Sequence, residues 1–474
     1  MTGPRIKALL ALALLLLAAW GLRAPFLGRE IWGLDEGSTF TMGQQVRDGA
    51  VLYRDAVDNR SPLMPYLKAM VFAVAGDWNI HAQHVALALA LGAGAFGLLG
   101  IASRLGDGAA GYWSAGAFTV IVFLLTGVID ALGAHTESFV ILFSILGFWL
   151  LVRALPRGGC AAGLGVGLAF AGSALCKQPG ALDFGVAWVL LGVLAWRQPA
   201  DRARLGRLLG GALAAFAAAW LVTCAYFWFN HAWDDFVYYA WTFNTRLYVP
   251  EVPLWQRLAT IRLTWDLALA WVPVALVVGI PAIGLALREV FRSLRSPRQP
   301  VPVLPLLFLG WLAAGVISTG LSGRIFPHYA IQVVPGLSLA CGWLLARFVA
   351  WLHASPERGL ARVVLGRSLI ALLIAWTVVD LRTLWHRLDP NDEPGNAALR
   401  TIVQRETGKN ERILVWGYYP EAYAICRRLP ATRFIYTNYL TGMIPWTNLA
   451  PEIDTRYAVK PDAWSAFWQA YGRT

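Results

Sequence analysis

Asp35 and Glu36 stand side by side in "REIWGLDEGSTF", a few residues past the first apolar run. Adjacent carboxylates can do two kinds of work. One can cap a helix beginning near Gly37, since an acidic side chain at a helix start accepts backbone N–H bonds. One can also act as a general base toward an attacking hydroxyl, because mutual repulsion raises one pKa and leaves the other group ionised. The two roles are compatible for different members of the pair. Cations accompany them: Arg54, Arg60 and Lys68 follow in or beside the same polar stretch, Lys177 ends a later apolar run, and Arg324 and His328 lie in "SGRIFPHY". Arg forks and Lys point charges are the usual partners of phosphoryl oxygens, so this set points to an anionic, phosphate-bearing ligand. Plainer readings stand beside it. Lys68 and Lys177 can snorkel at helix ends, Arg60 can be solvated or salt-bridged, and His328 with Tyr329 can belong to an interfacial aromatic belt. Glu137, in "GAHTES" with His135 and shortly after Asp130, opens another apolar run, where a carboxylate is expected to face a polar cavity. Asp183 and Asp266 are weaker cases and read as helix caps.

The elements that must hold these residues are membrane helices. The chain of 474 residues is 57% hydrophobic and only 14% charged, and its apolar runs approach the length that crosses a bilayer. The runs are continuous and rich in Leu and Ala rather than alternating, which selects helices over barrel strands. A formal charge of +12 would suggest nucleic acid in a soluble protein. Here the Arg residues collect in short loops between apolar runs, as the positive-inside rule requires, so no nucleic-acid partner is expected. Cys160, Cys176, Cys224, Cys341 and Cys426 show no CxxC or metal spacing, which leaves neither a disulfide framework nor a zinc site to expect. The basic start of "RIKALLALALLLLAAWGLRAP" has the look of a secretory signal, but no small-x-small site follows, and it reads as the first span, from about Ala8 to Leu22.

Arg placement gives roughly eleven spans with the N-terminus cytoplasmic. Arg104, Arg153 with Arg157, the Arg197–Arg207 cluster, the Arg288–Arg298 cluster and Arg347–Arg367 mark every second boundary as cytoplasmic. By elimination the stretch at 23–65, the turn around Glu137, "CKQPGALD", Asn230 to Arg262 and "SGRIFPHY" share the opposite face. The polar residues of interest are all on that side, where the positive-inside rule would leave few cations. The first of these loops is expected to lie along the membrane surface as short interfacial helices. Residues 1–384 read as a transmembrane module. Residues 385–474 read as a small α/β domain on the outer face, with "ERILV" and "TRFIY" as strands.

No Gly-rich phosphate loop is present, and a cytoplasmic nucleotide would not reach the outer face, so a phosphate there is expected to arrive on a membrane lipid. A transporter or flippase of lipid-linked sugars would also want outer cations; inverted repeats and broken mid-membrane helices, which would favour it, are not visible. A non-catalytic scaffold is a third reading, against which an intact Asp35 argues.

The "DE" pair after the first span, "YRDAVDNRSPLMPYL", a Glu at the next outer span start and "RIFPHYAIQVVPGLSLACGWLL" together resemble the integral-membrane GT-C glycosyltransferases. The branch they are most similar to holds the polyprenyl-phosphate-mannose protein mannosyltransferases and the lipid A aminoarabinose transferases. The resemblance implies a GT-C fold in the bacterial inner membrane and transfer of a sugar, with inversion, from a polyprenyl phosphate donor to an acceptor hydroxyl on a lipid, glycan or protein at the periplasmic face. It implies Asp35 as catalytic base with Glu36 as its partner, and Arg60, Arg324 and His328 on the donor phosphate. Arg54, Asp55, Glu137, Lys177 and Tyr329 complete the substrate-binding set. No cofactor is required, though the site admits a divalent metal. The chain departs from the family's usual Lys-Pro-Pro at Arg60, Ser61 and Pro62. Arg keeps the charge but changes the geometry offered to a phosphate.

Overall fold

A computed structural model describes residues 3–125, 132–248, 254–269, 272–296, 299–323, 326–354, 360–391, 393–442 and 454–472. The apolar runs form helices because hydrocarbon offers backbone N–H and C=O groups no partner, and a helix pairs them within one segment. In chain order the helices used below are α1 (Gly3–Arg23), α2 (Leu34–Arg47), α3 (Leu63–Ala75), α4 (Ile80–Leu105), α5 (Gly108–Leu124), α6 (Thr136–Ala154), α7 (Cys160–Cys176), α8 (Ala181–Arg197) and α9 (Arg202–Phe229). They continue with α10 (Leu254–Leu269), α11 (Pro273–Arg295), α12 (Val303–Leu321), α13 (Val334–His353), α14 (Leu360–Arg387), α15 (Pro394–Glu406), α16 (Glu421–Cys426) and α17 (Ala463–Tyr471). Among the described residues nine helical stretches are long and apolar enough to cross a membrane, and α3, α5 and α7 are shorter apolar helices. The fold is that of a helical, multi-pass membrane protein; among the described residues these nine stretches and three shorter apolar helices stand where roughly eleven spans were expected.

Close packing of small residues holds the bundle. Helices α7 and α9 approach until a β-carbon at Gly163 would meet the Leu208 backbone and one at Gly211 would meet that of Cys160. Such contacts drive helix association in lipid, where hydrophobic burial gives no advantage. Beside them Phe148 packs on Phe170 and Trp311 at ring separations of 4.9 and 4.4 Å, all three buried.

The first loop forms a short helix, α2, packed inside the protein. It is buried, with Phe40 and Met42 wholly inaccessible, between α3 on one side and α16 on the other. Its polar side chains permit this because they fold back onto the helix: the Ser38, Thr39 and Thr41 hydroxyls donate to the carbonyls of Asp35, Glu36 and Gly37, each at 2.9 Å.

The C-terminal segment also differs from expectation, since its extended stretches form no sheet among the described residues. They make isolated bridges, Ile413 with Pro430 and Val57 with Phe434. The reason is the first loop, which takes the place of a second strand when the Val57 N–H donates to the Arg433 carbonyl at 2.8 Å. Ion pairs fasten the rest. Glu30 binds Arg400 and, at 2.9 Å, Arg427, while Asp235 binds Arg433 at 2.8 Å and Lys460 at 2.6 Å.

Candidate active site

Gly33, fully extended at φ 173° and ψ 170°, leads the chain into α2, so Asp35 and Glu36 both fall in its first turn. The helix begins at Leu34, earlier than the Gly37 start read from sequence, and Asp35 does not cap it. Glu36 performs the anchoring. Its Oε2 accepts the Trp32 N–H at 2.9 Å, and its Oε1 accepts the Ala134 N–H at 2.5 Å and meets His84 Nε2 at 2.9 Å. Burial alone would raise this carboxyl, but His84 and the two backbone N–H groups outweigh it and bring the pKa down to about 2. Glu36 is completely buried and is absent from the walls of the large cavity.

Asp35, on the opposite side of the turn, faces that cavity. The space is about 650 Å³, within the range of small-molecule sites. The Arg60 guanidinium joins Asp35 to Asp58: Nη2 pairs with Asp35 Oδ1, while Nη1 donates to Ser38 Oγ at 3.1 Å and lies 3.2 Å from Asp58 Oδ2. Burial would raise the Asp35 pKa, but Arg60, then His328, His135 and Lys177, hold the carboxyl well below the usual range. The expected repulsion between Asp35 and Glu36 therefore does not raise either group, because each has its own cation or N–H donors.

The start of α6 brings the next layer. His135 precedes the helix and stacks on His328 at 5.3 Å, with the rings 13° from parallel. Glu137, buried in the first turn, pairs with Lys177, whose amine sits 3.7 Å above the Tyr329 ring. His328 Nε2 lies between the two carboxylates, 3.7 Å from Asp35 Oδ2 and 3.9 Å from Glu137 Oε1. Ligand atoms of Asp35, His135 and His328 lie within 4.8 Å of one another, a spacing that suits a divalent ion. An apolar wall of Ala181, Leu182, Trp241 and Leu321 completes this end.

The turns that sequence placed on one face thus meet around one cavity, which Asp35, Arg60, Glu137, Lys177, His328 and Tyr329 all line. Arg54 and Asp55 lie elsewhere. They pair with each other at 2.7 Å, Arg54 donates to the Asn230 carbonyl at 2.8 Å, and Asp55 accepts the Val51 N–H at 2.9 Å. Their role in the structure is to shape the loop, and neither touches the cavity. Lys68 is buried with its amine 4.9 Å from the Phe40 ring and 4.8 Å from that of Phe139, and it also stands off the cavity. Asp183 is buried against the Ser144 hydroxyl, and Asp266 lies 3.7 Å from Arg262. Arg324 and Asp130 fall outside the described residues.

Sequence reading missed several residues at or beside the cavity wall. Asp58, which braces Arg60, was visible as an acidic residue two positions before an Arg. Asn59 and Asn244 exchange hydrogen bonds of 2.9 and 2.6 Å across the rim. Tyr418, Tyr436, Asn438 and Tyr439 reach the cavity from the C-terminal segment, a meeting that no local spacing signals.

No family model and no curated protein matches the sequence. Solved structures do match. The apo oligosaccharyltransferase of Archaeoglobus fulgidus aligns at 14% identity and TM-score 0.61, over 90% of this chain and 64% of that one. The same organism's AglB, in complex with an inhibitory peptide and a dolichol-phosphate, aligns at 12% identity and TM-score 0.60, over 92% and 65%. ArnT from Cupriavidus metallidurans, bound to undecaprenyl phosphate, aligns at 13% identity and TM-score 0.51, over 88% and 74%. The chain therefore spans less than two thirds of the archaeal enzyme. What it shares with these membrane glycosyltransferases is the GT-C fold.

Proposed function

We propose that the chain is a glycosyltransferase that takes a sugar from a polyprenyl phosphate carrier and passes it, with inversion, to an acceptor hydroxyl. The reading places the cavity at the periplasmic face of the bacterial inner membrane, with the N-terminus cytoplasmic and residues 385–474 forming a periplasmic domain. The observation that carries it is Asp35, an ionised carboxylate open to a cavity whose walls also present Arg60, Lys177 and His328 beside an apolar surface. A lipid phosphate needs cations such as Arg60 and Lys177 and that surface together, and two of the aligned structures hold dolichol-phosphate or undecaprenyl phosphate.

In this mechanism Asp35 takes the proton of the acceptor hydroxyl as its oxygen attacks the anomeric carbon from the side opposite the phosphate. The bond from that carbon to the phosphate oxygen breaks, and polyprenyl phosphate leaves with the electron pair. Lys177 faces the developing charge, with Arg324 assigned to the same task and His328 beside them as a hydrogen-bonding group, and fixed cations in a water-poor site supply the largest share of the rate. Arg60 holds Asp35 in place and keeps it ionised, and Asp58 holds Arg60. Asp35, His135 and His328 would hold a divalent ion, which when bound would neutralise phosphate oxygens; the protein cations supply that charge in the mechanism described.

The test uses purified protein in proteoliposomes carrying undecaprenyl phosphate sugars labelled in the sugar, with a membrane extract of the parent organism as acceptor source. Transfer of label with release of undecaprenyl phosphate is the expected result. Movement of intact donor between leaflets without release would identify a flippase and overturn the reading.

A further inference from the structure

The outer wall of the cavity carries two polar atoms without a partner among the described residues. The Tyr436 hydroxyl and the Asn438 Oδ1 are both buried and make no hydrogen bond, although both residues line the cavity and are only 3% and 4% exposed. Native proteins seldom leave such groups unpaired, because each costs on the order of 1–3 kcal/mol when water is removed. Neighbouring residues show the contrast. The Tyr439 hydroxyl reaches Asp58 and Asn59, each at 3.4 Å, and Ser318 donates to Gln332 at 2.6 Å. Tyr436 and Asn438 are thus wall groups whose hydrogen bonds remain to be made by something in the cavity.

Their chemistry and position define that occupant. One group is a neutral donor and the other a neutral acceptor, which suits a ring with several hydroxyls and does not call for an ionised group. An aromatic surface accompanies them, since the Tyr418 ring packs 4.7 Å from that of Tyr436 on the same wall. The Tyr436 phenol also lies within electrostatic reach of both Arg60 and Asp35. In an inverting transfer the sugar ring must occupy the space between base and phosphate, the space this wall overlooks.

Resting on the glycosyltransferase reading above, we propose that Tyr436 and Asn438 form the subsite for the donor's sugar ring. Tyr436 donates to one ring hydroxyl and Asn438 accepts from another, so the C-terminal segment selects a neutral hexose or pentose. This gives residues 385–474 a share in donor specificity, while the cations from the helical bundle bind the phosphate whichever sugar is attached.

The experiment compares dissociation constants of the full-length protein in nanodiscs for bare undecaprenyl phosphate and for its mannosyl, glucosyl, galactosyl and arabinosyl phosphodiesters. Wild type should bind at least one sugar-bearing lipid about tenfold more tightly than the bare lipid. Tyr436→Phe, which removes a single oxygen, and Asn438→Ala should each cut that preference about five- to tenfold and leave the constant for bare undecaprenyl phosphate within twofold. The subsite is refuted if wild type shows no sugar preference, or if Tyr436→Phe keeps the preference intact or weakens bare and sugar-bearing lipids equally. Failure of wild type to bind even the bare lipid is a different outcome and removes the glycosyltransferase reading itself.

Discussion

Replacing Asp35 by Asn separates chemistry from binding, and the geometry fixes how far apart the two should fall. The substitution removes the charge and the basicity while keeping shape and one acceptor oxygen. Arg60 loses its pair with Asp35 but keeps Asp58, 3.2 Å away, and Ser38, 3.1 Å away, so the guanidinium stays in place. Lys177 remains on Glu137 and His328 remains between α6 and the cavity. Affinity for undecaprenyl phosphate should therefore change by less than about threefold, while sugar transfer falls by the roughly 100- to 10,000-fold that general-base catalysis contributes. That loss is about 2.7–5.4 kcal/mol of transition-state stabilisation at 1.36 kcal/mol per decade. The wild-type pH profile carries the same information. A base works when ionised, and Asp35 is held well below the usual carboxylate range, so its titration should produce no acid limb in kcat/KM above about pH 5. Single-turnover transfer from labelled lipid, read beside equilibrium lipid binding, checks both. An Asp35→Asn protein that transfers sugar within threefold of wild type, or loses transfer only in proportion to lipid binding, would make Asp35 an anchor for Arg60 rather than the base.

Glu36→Gln should cost stability rather than chemistry, about 2–3 kcal/mol for charged hydrogen bonds converted to neutral ones with one amide facing a donor. The expected readout is a lower unfolding temperature in detergent with near-normal turnover per folded molecule. The wild-type contribution has a defined pH sense: with a folded pKa near 2, it is complete above the ordinary Glu value and is lost as pH falls toward 2. Gly37→Ala should loosen the C-terminal segment, since a β-carbon there would stand 2.5 Å from Glu421 Cβ and 2.6 Å from its Cα. Overpacking of this kind costs about 1–3 kcal/mol, and faster proteolysis after residue 385 would report it. Chelation with EDTA should leave transfer within about twofold, because Lys177 and Arg324 are assigned the positive charge. Loss of activity restored by a divalent ion, and abolished again by His135→Ala, would instead assign the Asp35, His135 and His328 cluster to a metal.

How much of this was legible in the sequence depends on the range of the forces involved. Bilayer length and Arg placement are local patterns, so the helical membrane architecture and the convergence of residues 35, 60, 137, 177 and 328 followed from reading along the chain. Division of labour between Asp35 and Glu36 was not readable, because it depends on what stands opposite each carboxylate. His84 and the Ala134 N–H, both distant in the chain, take Glu36 into the core, while Arg60 keeps Asp35 at the cavity. Arg54 misled for a related reason. A cation in a loop read as outer is unexplained by the positive-inside rule, yet its immediate neighbour Asp55 already pairs with it. Asp58 satisfies Arg60 in the same way but leaves Asp35 on its far side, so the same local pattern of Arg with a nearby Asp closes one site and builds another. The C-terminal wall was beyond reach altogether, since Tyr436 and Asn438 approach Asp35 only after Val57 has paired with Arg433 and Asp235 has bound Arg433 and Lys460. Asp35 comes from α2, Arg60 from the first loop and Lys177 from the end of α7, while the two unpartnered polar groups come from a segment fastened on by ion pairs. If the proposed subsite holds, a change in that segment alters which sugar fits without disturbing Asp35 or Lys177.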